Sequence, residues 1–207
     1  MTEQKKIVLA TKNPGKLREL TNAFAGLPVQ IVSLAAFGEL PDAVEDGRTF
    51  AENALIKAKF YAALTKCACL ADDSGLEVAV LDGAPGVLSA RFAGFHAADA
   101  DNNEKLLSEL ARKNAAESAA AYRCVLAYVD GETEILTEGI CRGTVKNVAK
   151  GSGGFGYDPY FYVGEKTLAE ISLAEKEKIS HRGQAMKAMA AKLRQVCAFM
   201  PVKESSS

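Results

Sequence analysis

A chain of 207 residues, 48% of them hydrophobic, can bury one substantial core, so a single domain over residues 1–200 is expected, with 201–207 as a disordered tail. Lys+Arg 25 against Asp+Glu 26 leaves a net charge of −1, which excludes the basic field that a nucleic-acid polymer requires. No apolar segment is long enough to span a membrane, and the apolar run in MTEQKKIVLA is too short for a signal peptide.

Ile7 to Ala10 is continuously apolar, the pattern of a strand buried on both faces. Asn13 as cap and Pro14 at the first helical position predict a helix, with Leu17, Leu20, Phe24 and Leu27 at helical spacing. Gly26 to Pro28 ends it, and Val29 to Leu34 predicts a second strand. Thr49 and Glu52 form a capping box before a second helix, whose apolar face is Ala51, Ala54, Leu55, Ala58, Tyr61 and Ala62. A strand at 68–72 follows.

The five cysteines, Cys67, Cys69, Cys124, Cys141 and Cys197, contain no C-x-x-C and are odd in number. Reduced thiols packed as small apolar residues, in a cytoplasmic protein, are the expectation. A turn is predicted at Ser74-Gly75, a further extended run from Leu76 to Leu81, and another turn at Gly83 to Gly86. Residues 97–117 read as a helix with Leu106, Leu107 and Leu110 inward. Tyr122–Val129 and Thr133–Val145 form two strands joined through Asp130-Gly131, a hairpin signal. Lys150 to Gly156 is a glycine-rich loop. Ser180 caps a last long helix with Met186, Met189, Ala190, Leu193, Val196 and Cys197 as its apolar positions.

Four groups of residues carry chemistry. In TKNPGK, the Thr11 and Asn13 side chains, the amides of a helix N-terminus and the Lys16 ammonium converge on a spot that favours anions. Taken alone, the same string serves an ordinary capped helix with a solvated lysine. Asp72 and Asp73 lie at a strand end, where a carboxylate pair can hold a divalent cation and take a proton from water. Strand alternation sends them to opposite faces. Glu45 and Asp46 are further candidate ligands. In GSGGFGYDP the glycines allow close backbone approach, while Phe155 and Tyr157, poor core residues in that setting, offer surfaces on which a flat base could stack. His181 and Arg182 oppose the dipole at the start of the last helix, a local conflict that suggests a ligand; both can donate to the carbonyl of a 6-oxopurine. Together these residues point to an enzyme that cuts a free nucleotide at its phosphates.

TKNPGK, TFAENALIKA at 49–58, ADDSGLEV at 71–78, GAPGVLSARFAG at 83–94, GGFGYDPYF at 153–161 and ISHRGQA at 179–185 stand in order. In that register the chain resembles the inosine triphosphate pyrophosphatase family, the dITP/XTP or non-canonical purine NTP pyrophosphatases, from about Ile7 to Val196. The resemblance implies a two-lobed α/β fold with a long mixed central sheet flanked by helices and an active-site cleft between the lobes. It also implies a homodimer, dependence on Mg²⁺, and conversion of ITP, dITP or XTP to monophosphate and pyrophosphate. Carried over by position, Thr11, Asn13 and Lys16 match the triphosphate loop, Glu45 a metal ligand, with Asp46 as its rival, and Ser74 a substrate contact. Asp73, with Asp72 beside it, matches the general base and metal contact. Phe155, Gly156, Tyr157 and Asp158 match the base-binding loop, Lys176 a phosphate or sugar contact, and His181-Arg182 the base-recognition pair. Lys16, the helix amides and Lys176 are then expected to neutralise the leaving pyrophosphate.

Overall fold

The computed structural model describes residues 4–198; the expected tail at 201–207 lies outside them. The chain forms one seven-stranded mixed sheet in the order β2-β1-β3-β4-β5-β6-β7. β1 (Lys5–Leu9) pairs in parallel with β2 (Val29–Ser33) and with β3 (Ala68–Val78). β3 then pairs antiparallel with β4 (Glu117–Asp130), β4 with β5 (Thr133–Lys146), and β5 with the short edge strands β6 (Phe161–Val163) and β7 (Lys166–Thr167). α1 (Pro14–Phe24) links β1 to β2, and α2 (Phe50–Thr65) leads into β3 through the capping box of Thr49 and Glu52. α3 (Asp99–Arg112), α4 (Leu173–Ile179) and α5 (His181–Ala198) complete the molecule. Ser180 Oγ accepts the Gly183 amide at 3.0 Å, as expected of the cap of α5.

Side-chain alternation along the sheet divides the core into three clusters. Ile7, Leu9, Leu70, Leu126 and Tyr128 face α1 and α5, while Val8, Ala10, Cys69, Ala71 and Ala127 face α2. Farther along the same strands, Leu76, Val78 and Tyr122 join Leu106 and Leu110 of α3 in the third cluster. β3 and β4 therefore run from one lobe into the other. The triplet Asp72-Asp73-Ser74 occupies the stretch of β3 between the two lobes.

Several expectations change. The predicted turn at Ser74-Gly75 is absent, because β3 continues unbroken through both residues, paired with Cys124 and Arg123 of β4. Gly75 serves a close approach instead: a side chain there would strike the Gly86 carbonyl and the Ser89 hydroxyl. The extended run stops at Val78, and residues 79–81 form a 3₁₀ turn. The helix expected over 97–117 ends at Arg112, and Glu117 opens β4, whose pairing with β5 lengthens the hairpin at both strand ends. α4, seven residues with mixed charge, gives too short a period to be read from sequence, although Ser172 and Glu175 form a capping box at its start.

Candidate active site

Asp72 and Asp73 are both buried, yet their surroundings differ. On the α1/α5 face, Asp72 Oδ2 lies 2.9 Å from Lys16 Nζ and 3.4 Å from Arg182 Nε. Burial opposes its charge, but Lys16, Arg182 and Lys57 outweigh that and hold the carboxyl well below the usual carboxylate range. Asp73 faces α2. Burial pushes its pKa up to about 6, with Lys57 and Lys16 pulling only partly back, and Asn53 donates to it. Its Oδ2 is buried without a partner. Asp72 is thus a pinned anion, and Asp73 is the carboxylate with capacity to spare.

The α2 side supplies residues that the sequence reading missed. Lys57 Nζ reaches the Asp72 carbonyl at 3.0 Å and Glu45 Oε2 at 2.8 Å. Burial works against its charge, but Asp72, Glu45 and Asp73 outweigh that and raise its pKa, so it remains an ammonium. Asn53, one helical turn earlier, accepts the Gly47 amide at 2.8 Å and so holds the Glu45 loop against Asp73. Arg91 Nη2 bonds the Glu45 carbonyl at 3.1 Å. The available signal was a polar pair at i and i+4 on the buried stripe of α2, beside Ala54 and Tyr61. Glu45, not its exposed rival Asp46, lines the cavity with Asp73.

The phosphate loop differs from expectation in one respect. Asn13 Oδ1 accepts the amides of Gly15 at 2.8 Å and Lys16 at 3.1 Å, and Thr11 Oγ1 accepts the Asn13 amide at 3.2 Å. The first-turn amides are therefore satisfied internally. The ammonium groups of Lys16 and Lys57 line the adjoining cavity.

Two cavities meet at this strand. The larger, about 520 Å³, is lined by Thr11, Lys16, Glu45, Lys57, Asp73 and Arg91 among others. The smaller, about 120 Å³, is walled by Tyr122, Phe155, Tyr157, Asp158, His181 and Arg182. Asn13, Lys16, Ser74 and Ala90 line both and form the partition.

In the smaller cavity the His181 ring stacks on Tyr122, with centroids 4.7 Å apart and planes 8° from parallel, and its Nδ1 is buried without a partner. Burial, with Arg182 and Lys176 adding repulsion, holds its pKa well below 6.5, so the imidazole is neutral and keeps one donor and one acceptor. Arg182 is pinned by Asp72, by Glu19 Oε2 at 2.8 Å and by Ser74 Oγ at 2.9 Å, which leaves only part of its donor set free. Tyr157 corrects the view of it as a poor core residue: it is buried, and its hydroxyl donates to the Ser89 carbonyl at 2.7 Å. Phe155 alone keeps a partly open ring, with Lys176 Nζ 4.7 Å and Arg182 Cζ 5.6 Å from its centroid. Lys176 is buried, paired with Asp158 Oδ2 at 2.6 Å, and faces the smaller cavity rather than the larger.

Among the described residues no three His, Cys, Asp or Glu side chains gather into a metal centre. Asp73 with its unpaired oxygen and Glu45 nevertheless fit Mg²⁺, which is commonly bound through one or two carboxylates while substrate phosphates and water complete the shell. The described cysteines are free, and burial pushes the Cys69 and Cys124 thiols up to about 12. No described helix is long and apolar enough to cross a membrane.

Known proteins share this architecture. A dITP/XTP pyrophosphatase of Geobacter sulfurreducens is 48% identical over 184 residues, covering 87% of this chain and 92% of its own. The solved HAM1 protein of Coxiella burnetii superposes with a TM-score of 0.86 at 39% identity, covering 92% of this chain and 99% of that one. The Staphylococcus aureus Ham1 protein gives 0.82 at 35% identity, covering 93% and 100%. A model of the Ham1 family matches residues 7–192, and the chain belongs to that family.

Proposed function

We propose that the protein hydrolyses non-canonical purine nucleoside triphosphates, ITP, dITP and XTP, to the monophosphate and pyrophosphate. The observation that carries the mechanism is the unpaired, buried Oδ2 of Asp73, facing Lys57 and Glu45 in the middle of a strand shared by two cavities. The base occupies the smaller cavity and the triphosphate the larger, which places the α-phosphorus near the partition of Asn13, Lys16 and Ser74.

Asp73 takes a proton from the water that attacks the α-phosphorus, its unpaired oxygen being the acceptor. Lys57 and Lys16 meet the negative charge that builds on the phosphates as the bond to pyrophosphate breaks. Mg²⁺, when held through Asp73 and Glu45, would supply Lewis-acid polarisation of the phosphate oxygens. At the base, neutral His181 presents an unpaired ring nitrogen, with what remains of the Arg182 donor set beside it. A C6 oxygen satisfies the donor-only Arg182 guanidinium there, whereas the adenine amino group leaves it unpaired, and an unmet buried donor can discriminate by about 10⁴ or more.

The same reading includes a homodimer, implied by the family resemblance, and a cytoplasmic location, supported by the unpaired thiols. Product identification with Mg²⁺ and ITP, XTP, GTP, ATP or dUTP tests it. Monophosphate and pyrophosphate from ITP and XTP, with GTP and ATP nearly untouched, are expected. Orthophosphate and a diphosphate would move the attack to the γ-phosphorus and overturn the mechanism.

A further inference from the structure

Gly156, between Phe155 and Tyr157, adopts φ +63, a conformation that favours glycine, in nearly open space. Both of its backbone polar groups are taken by α3. Its amide donates to Asp99 Oδ2 at 2.6 Å, and its carbonyl accepts from Asn103 Nδ2 at 3.0 Å. Asp99 and Asn103 are one helical turn apart, so a single face of α3 grips both peptide units that flank the Gly156 Cα.

The helix is itself fastened. Asn102, buried, accepts the Ala93 amide at 2.8 Å and donates to the Ala90 carbonyl at 3.3 Å. Ala90 lines both cavities, and its neighbour Arg91 holds the Glu45 loop. On the other flank, Asp158 accepts the Phe155 amide at 2.9 Å and is paired with Lys176. Asn103 Oδ1 is buried without a partner, so the side chain is kept there at a desolvation cost that its bond to Gly156 accounts for.

We propose that Asp99 and Asn103 are positioning residues: they form a clasp that holds Gly156 and, through it, the Phe155 ring where the purine stacks. This rests on the nucleotide reading above. The clasp acts on the base and not on the phosphorus, so its loss shows in KM and leaves kcat nearly constant.

The test compares Asp99→Ala, Asn103→Ala and Asp99→Asn with wild type, by steady-state kinetics on ITP and by hydrogen exchange at the Gly156 amide. Each alanine variant is expected to raise KM about five- to tenfold, the scale of one lost hydrogen bond, and to speed Gly156 exchange. Asp99→Asn keeps an acceptor and recovers most of both effects. Unchanged KM and exchange in the alanine variants, a fall in kcat alone, or an Asp99→Asn variant as damaged as Asp99→Ala would each overturn the clasp. If wild type does not turn over ITP, the nucleotide reading falls, and exchange at Gly156 then decides the clasp alone.

Discussion

Asp72 and Asp73 are neighbours in one strand and opposites in chemistry. The first sits among Lys16, Arg182 and Lys57 and is fixed as an anion, while the second keeps an unpaired oxygen and a pKa lifted to about 6. The difference comes from strand alternation, which turns one side chain toward α1 and α5 and the next toward α2. A single turn of backbone could not divide them so cleanly. The pair shows how two adjacent acids can be separated into an electrostatic anchor and a proton acceptor with no change of residue type.

The sharpest way to break that comparison is Asp73→Asn. It removes the acceptor, keeps the shape, and is expected to cut kcat by about 10² to 10⁴ with little change in thermal stability. Unaltered turnover would reverse the two roles. Asp72→Asn should act mainly on stability. It leaves Lys16 and Arg182 facing a neutral partner in a buried site, where breaking such pairs costs about 3–5 kcal/mol. A melting temperature unchanged from wild type would show that Asp72 anchors nothing.

A smaller effect extends the contrast to the base side. His181 is held neutral in the folded chain, while in the unfolded chain it takes up a proton below about pH 6.5. The unfolded state then binds more protons, so this contribution to stability is complete above about pH 6.5 and lost as pH falls, by up to about 1.4 kcal/mol per pH unit. Melting curves between pH 7 and pH 5 should fall more steeply for wild type than for His181→Gln. Parallel slopes would mean that the imidazole is protonated in the folded state.

Much of this arrangement is legible in the sequence. Asn13-Pro14, the Thr49/Glu52 box, the hairpin at Asp130-Gly131 and the Ser180 cap are local signals, and each stands where it was read. What sequence could not give was partnership across the chain. Asp72 meets Arg182 only because β3 and α5 converge, 110 residues apart, and Lys57 was hidden as one lysine in an alanine-rich helix. Tyr157 misleads for the same reason: its glycine-rich neighbours suggest exposure, yet the loop buries it and carries its hydroxyl to the Ser89 carbonyl. Gly75 was read as a turn because only the packed structure shows the Gly86 carbonyl lying against it.

β4 and β5, fourteen residues each, cross both lobes without interruption, and β3 spans the gap beside them. The cleft therefore has no hinge at its back wall. Its width is an elastic property of a twisted ribbon, shared among many paired residues, so no single substitution there can swing it open.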